Sequence, residues 1–193
     1  MGVMDEAEEL HFTTAQEWRD WLYRHGDRSE GVWLVSYKAR TGKPAIAYED
    51  AVCEALCFGW IDSTYRSLDD ERGALWWSPR RKGSLWARTN KVRVERLEAE
   101  GRMTDAGRAA IERAKADGSW TLLEPVEDLI VPDDLAAAFG SRPGAWERWN
   151  AFPATAQRAY LLWVYSAKRE ATRHKRVEES AARVAAGLRY EER

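Results

Sequence analysis

Apolar residues near the start of the chain recur at helical spacing, with Trp18, Trp21 and Leu22 on one face. Thr13 or Thr14 stands ahead of them with Glu17 as the far end of a capping box, and Gly26 follows His25 as a stop. Gly31–Lys38 (GVWLVSYK) is rich in β-branched and aromatic residues and predicts a strand, with Arg40–Lys43 before Pro44 as a turn. A second helix is predicted from about Tyr48. Glu49 and Asp50 stand at its positive end, Val52, Ala55 and Leu56 form one face, and Gly59 closes it. Trp60–Leu68 and Ala74–Pro79 are predicted strands joined by the polar stretch Asp69–Gly73. Ser84 has the form of a cap for the next helix, in which Ala87, Asn90, Val94 and Leu97 share a face before Gly101 stops it. Thr104 caps another helix ending near Gly118.

Beyond an acidic connector around Pro125 and Pro132, the pattern is helical throughout. Helices are predicted over Pro132–Phe139, Pro143–Ala151, Pro153–Tyr165 and on to about Ala186, the last with Val177, Ala181, Val184 and Leu188 as its stripe. The expected class is α+β: a small antiparallel or mixed sheet with helices in the N-terminal half, and an all-helical C-terminal half. The division expected is residues 1–118 as the α+β domain and 119–193 as a helical region packed on it or forming a small subdomain. At 193 residues the chain is long enough to bury roughly 70% of its unfolded surface, so it needs no metal or disulfide staple.

The net charge of −2 predicts no partner, but its distribution is uneven. Residues 1–62 carry −6, 63–116 carry +5, 117–140 carry −6 and 141–193 carry +5, and Arg80–Arg96 alone holds seven basic residues against one acidic. A local positive field is therefore expected there. Cys53 and Cys57, four apart on a predicted helix, are poor disulfide partners and too few for a zinc site; they read as small buried hydrophobes in a reducing compartment. Eleven tryptophans are several times the usual complement, and most must serve the core. Apolar runs are far shorter than a membrane span, and Met1–Leu10 has four acidic residues and no basic one, so neither a span nor a signal peptide is expected. The expected location is cytoplasmic.

The sequence has no G-x-G-x-x-G, Walker lysine loop, H-E-x-x-H or G-x-S-x-G, and His11, His25 and His174 lie in separate predicted elements. No catalytic residue, metal site or cofactor is assigned. The richest stretch runs from Trp60 to Asn90. Strict alternation puts Trp60, Asp62, Thr64 and Arg66 on one face and Trp76, Ser78 and Arg80 on one face of the next strand. If the two strands pair, Asp62, Arg66 and Arg80 can share a side of the sheet. The run Pro79–Ser84 then turns towards a helix start with three cations and a Gly-Ser turn, the makings of an anion site. Asn90 is the polar member of an apolar face and needs a partner. Each feature also has a plain structural role: an ion pair for Asp62, a cap for Ser84, a solvated turn for Arg80–Lys82.

Three stretches, EDAVCEALCFGWIDS, SPRRKGSLWARTNKVRVERLEAEGRMTDAG and YLLWVYSAKREATRHKRV, resemble the YdeI/OmpD-associated, or bacteriocin-protection, family. The resemblance runs from about Phe12 to Gly187. It rests on the order G-W-I-D, P-R-x-x-x-S-x-W, N-x-x-R-V-x-x-L and A-K-R-x-x-T-R. The matching positions are Glu54, Trp60, Asp62, Arg66, Pro79, Arg80, Ser84, Trp86, Asn90, Lys168, Thr172 and Arg173. Cys53 stands where an acidic residue is expected and Ala87 where a serine is expected. What the resemblance implies is a genetic association with antimicrobial-peptide resistance and with an outer-membrane porin, and no reaction.

From the residues, the favoured reading is a protein binding a small anionic or nucleotide-like ligand through Trp60, Asp62, Arg66, Arg80, Ser84, Trp86 and Asn90. A nucleic-acid-binding module using the basic stripes 80–96 and 168–176 is the first alternative. A protein-interaction factor in an envelope-stress response is the second. An enzyme using Asp62 or Glu54 as general acid or base has no reaction class to support it.

Overall fold

The computed structural model describes residues 4–27 and 30–190. The chain forms two compact units: Met1–Ser84 with Thr89–Ser119, and Leu85–Arg88 with Trp120–Arg193. The class is α+β, as the patterning predicts.

In the first unit, β1 (Glu9–Leu10) is followed by α1 (Ala15–His25), β2 (Val32–Tyr37), a single 3₁₀ turn (Ala39–Thr41) and α2 (Tyr48–Cys57). The hairpin β3 (Trp60–Ser67) and β4 (Arg72–Pro79) comes next, then α3 (Arg88–Ala99) and α4 (Asp105–Asp117). The capping box at Thr14 forms as its sequence requires: the Thr14 hydroxyl accepts from the Glu17 amide while the Glu17 carboxylate accepts from the Thr14 amide. The sheet order is β1-β2-β4-β3, mixed because β1 pairs parallel to β2. The two-residue β1 is too short to leave a periodic signal.

One face of the sheet packs on a tryptophan cluster. Trp18 and Trp21 of α1 stack at 5.4 Å between centroids, and both meet Trp60 edge-on. Trp18 also meets Trp77 at 6.0 Å. The opposite face buries Trp33, Val35, Ala74 and Trp76 under Met4, Ala7 and Leu68. Much of the tryptophan surplus is thus core.

The second unit holds α5 (Glu124–Glu127), α6 (Asp133–Gly140), α7 (Ala145–Ala151), α8 (Ala154–Tyr165) and α9 (Glu170–Ala185). Its core gathers Leu135, Phe139, Trp149, Tyr160, Leu161 and Val164, with Val177, Ala181 and Val184 as the stripe of α9. Leu188, expected to extend that stripe, lies beyond the end of α9 and is exposed. The Leu188 carbonyl is held instead by the Tyr160 hydroxyl at 3.0 Å.

The junction from α2 to β3 depends on Gly59. Its φ is +74°, and a Cβ there would lie 2.8 Å from the Ala110 side chain of α4. Gly59→Ala is expected to destabilise the protein by about 2–4 kcal/mol through left-handed backbone cost and overpacking. A melting point lower by roughly 5–15 °C, read by circular dichroism, is the expected result; an unchanged melting point would contradict the contact.

Candidate functional site

Residues paired across antiparallel strands share a face, so Val32, Leu34 and Ser36 of β2 lie with Trp77, Leu75 and Gly73 of β4. On β3, Trp60 pairs with Pro79 and Asp62 with Trp77, but the next pair on this face is Tyr65 with Leu75. Three steps along β3 match two along β4, which is a β-bulge. The extra residue moves Tyr65 onto the face of Asp62 and Trp77. Arg66 goes to the opposite face, paired with Ala74.

Ile46, Tyr48 and Ala51, at and before the start of α2, line the other side of a cavity of about 260 Å³ over this face. Its sheet side is Leu34, Ser36, Gly73, Leu75, Trp77 and Tyr65, and Tyr37 and Lys38 complete it. That volume lies just under the ~300–1,000 Å³ typical of ligand pockets. Gly73 makes room: a Cβ there would collide with the Tyr65 ring. Tyr48 and Tyr65 stand 57% and 60% exposed at the mouth. The Tyr48 hydroxyl donates to Asp62 Oδ2 at 3.0 Å. Burial, reinforced by the Asp62 carboxylate, pushes the Tyr48 phenol up, so it stays a protonated donor.

Lys38 Nζ donates to the Ser67 hydroxyl at 3.1 Å and the Asp69 carbonyl at 2.6 Å, both uncharged. Among the described residues no carboxylate pairs with it, and an ammonium has three donors. The other lysine beside Tyr37, Lys43, is bound to Glu71 at 2.5 Å. In the second unit, a larger groove between α6 and α9, about 450 Å³, has its Arg173 matched by Asp134 and its Glu178 held by Arg142, each at 2.7 Å.

The residues singled out from the sequence are distributed differently. Trp60 is buried in the tryptophan cluster, its indole donating to the Gly26 carbonyl at 3.2 Å. Asp62 holds Tyr48. Asp62 also acts on Arg80, which burial pulls down to about 10 against the opposing pull of that carboxylate. Strict alternation fails at the bulge, so Arg66 is on the far face, paired with Glu9 at 2.6 Å and lying 3.9 Å over the Trp33 ring. Ser84 does not cap a helix, because α3 begins at Arg88; its hydroxyl accepts from the Arg81 amide at 3.0 Å and closes its own turn. The Gly83 amide of that turn donates to the Asp117 carboxylate at 2.8 Å, so the chain supplies its own anion there. Trp86 belongs to the second unit, against Trp120.

Asn90 is only half-buried and accepts from Arg93 at 3.0 Å. Arg93 in turn grips Glu49 through two nitrogens at 3.0 and 2.6 Å. Two more cations of the basic run are paired as well: Arg88 with Asp128, and Arg96 with Glu49 and Glu100. In the second stripe, Arg176 is spent on the Trp163 carbonyl and the Ser166 hydroxyl. The lining residues Lys38, Tyr48 and Tyr65 were not singled out from the sequence. The one signal for them was Gly73 in a strand next to aromatics, the mark of a close approach.

Two family models match the chain. Residues 10–110 match a domain of unknown function, DUF8412, and residues 128–187 match the family described as bacteriocin-protection, YdeI or OmpD-associated. The chain belongs to the DUF8412 family, whose model spans just over half of it, and residues 128–187 are similar to the YdeI/OmpD-associated family. The G-W-I-D, P-R-x-x-x-S-x-W and N-x-x-R-V-x-x-L motifs fall in the DUF8412 stretch, and only A-K-R-x-x-T-R falls in the YdeI/OmpD-associated one. The cavity lies wholly within the DUF8412 stretch. No curated protein and no solved structure matches the chain. Among the described residues no helix is long and apolar enough to cross a membrane, and no His, Cys, Asp or Glu cluster could hold a metal ion.

The Arg93 clamp holds the Glu49 carboxyl at about 2, below its ordinary 4.5. A lowered folded-state pKa gives stability that is complete above about pH 4.5 and is lost as pH falls towards 2. Glu49→Gln is therefore expected to cost about 1 kcal/mol or less near neutrality, since the side chain is half-exposed. That gap, measured by urea unfolding at a series of pH values, should narrow below pH 4.5; a constant gap would refute the clamp.

Proposed function

We propose that the DUF8412 domain of this protein binds a small planar anion in the cavity between the sheet and the start of α2. The observation that carries the reading is Lys38, an ammonium in the lining of an aromatic cavity with no carboxylate partner among the described residues. A ring slotted between Tyr65, Tyr48 and Leu75 gains apolar burial, and its charge finds the third donor of Lys38. A nucleoside monophosphate brings close to two negative charges to a cavity lined by one cation, so a singly charged ligand with one ring fits better. The pairing of Arg88, Arg93 and Arg96 with acidic side chains favours this over nucleic-acid binding. With this reading goes a cytoplasmic location.

The test is a thermal-shift screen backed by tryptophan fluorescence, at low and high salt. Its panel holds benzoate, phenylacetate, a nucleoside monophosphate, a phosphosugar and a short oligonucleotide. Benzoate or phenylacetate is expected to raise the melting temperature, and Lys38→Met to weaken that binding about ten-fold or more. A flat response to both carboxylates, or a response that Lys38→Met leaves intact, would overturn the proposal.

A further inference from the structure

The row of the sheet beyond Leu75 is floored by small residues. Gly73 of β4 pairs with Ser36 of β2 on one side and with Ser67 of β3 on the other. This row therefore offers the cavity no side chain longer than a hydroxymethyl group. Tyr65 stands one row back, two residues before Ser67 and so on the same face, and its ring leans diagonally over the gap. A Cβ on Gly73 would lie 2.7 Å from two carbons of the Tyr65 ring and closer still to its hydroxyl oxygen, so the ring rests directly on the Gly73 backbone. An aromatic ring laid on a strand glycine covers the backbone that the missing side chain leaves bare. Gly73, Ser36 and Tyr65 all line the cavity, so the ring takes up space over the cavity floor. At 60% exposure Tyr65 is no part of the core, and the fold does not depend on its ring.

We infer that the Tyr65 ring, seated on Gly73, is the wall that sets the size of the ligand: it admits one aromatic ring and excludes a second one fused to it. This rests on the cavity reading given above and adds what selects within that class of ligand. With Tyr65 in place the cavity measures about 260 Å³. With a short side chain at position 65, the berth over Gly73 and Ser36 joins the cavity, and one six-membered ring fills that berth now. A two-ring ligand has to push Tyr65 off the glycine to enter. The sign of the selection is diagnostic. Apolar burial alone favours the larger of two aromatic acids, so a steric stop is what makes the smaller one bind better.

Isothermal titration of the full chain compares benzoate with 2-naphthoate, and phenylacetate with 2-naphthylacetate. Each pair carries the same acid group and differs by one fused ring. In the wild type at least one of the one-ring acids is expected to bind about ten-fold more tightly than its two-ring partner. Tyr65→Thr, a short side chain suited to a strand, should reverse that order and make the two-ring acid the tighter by about ten-fold. Tyr65→Phe keeps the ring and should keep the wild-type order. The wild-type ratio and Tyr65→Phe stand as tests should Tyr65→Thr fail to fold. Two-ring acids bound by the wild type as well as one-ring acids, an order that Tyr65→Thr leaves unchanged, or an order lost in Tyr65→Phe overturns the role of Tyr65 and leaves the cavity reading standing. Binding of neither one-ring acid by the wild type removes both.

Discussion

The extra residue in β3 between Asp62 and Tyr65 is the constraint on which the candidate site rests. Side chains in a strand alternate with a period of two, so one inserted residue exchanges the faces of everything beyond it. Before the bulge, β3 gives Trp60 to the tryptophan core and Asp62 to Tyr48. After it, Tyr65 joins Leu75 over the cavity, and Arg66 crosses to Glu9 and Trp33 on the other side. In the unbroken register set by Asp62 and Trp77, Thr64 would stand opposite Leu75 and Arg66 opposite Gly73, so this face would hold a hydroxyl and a guanidinium in place of a tyrosine ring.

Charge on this molecule is mostly spent internally. Glu54, 4% exposed, lies between Arg19 at 2.7 Å and Arg102 at 2.6 Å, tying α1 and α2 to the loop before α4. Removing the carboxylate would leave two guanidiniums facing each other, which is why such a buried group persists even though its net contribution is modest. Glu49, Asp117 and Glu127 do the same for Arg93, the Gly83 turn and the first amide of α3. A cation bound only to neutral oxygens is informative against that background. Within the positive stretch 80–96, Arg88, Arg93 and Arg96 are each matched by an acidic side chain that the sequence places far from them.

The elements were legible where one local rule decided them. The capping box set the start of α1, and the acidic pair Glu49–Asp50 marked the positive end of α2. The candidate site was not legible, for a specific reason at each point. Between Asp62 and Tyr65 the chain reads Asp-Ser-Thr-Tyr, with no apolar alternation to reveal a slipped register. Ser84 had the right chemistry for a cap, but the Arg88 amide is served by Glu127, 39 residues away, a partner that only the fold supplies. Asn90 needed a partner, as its position demanded; that partner was Arg93 on its own helix. Lys38 is marked by having no carboxylate partner among the described residues, and a missing contact leaves no trace in a sequence.

The two thiols carry a consequence of their own. Cys53 and Cys57 are free and buried, and burial pushes both up, keeping them protonated and poorly nucleophilic. The fold neither needs a disulfide nor offers an oxidant an easy target. Its cysteines therefore impose no redox condition, and the reducing compartment expected from their spacing is not a requirement for this protein to stand.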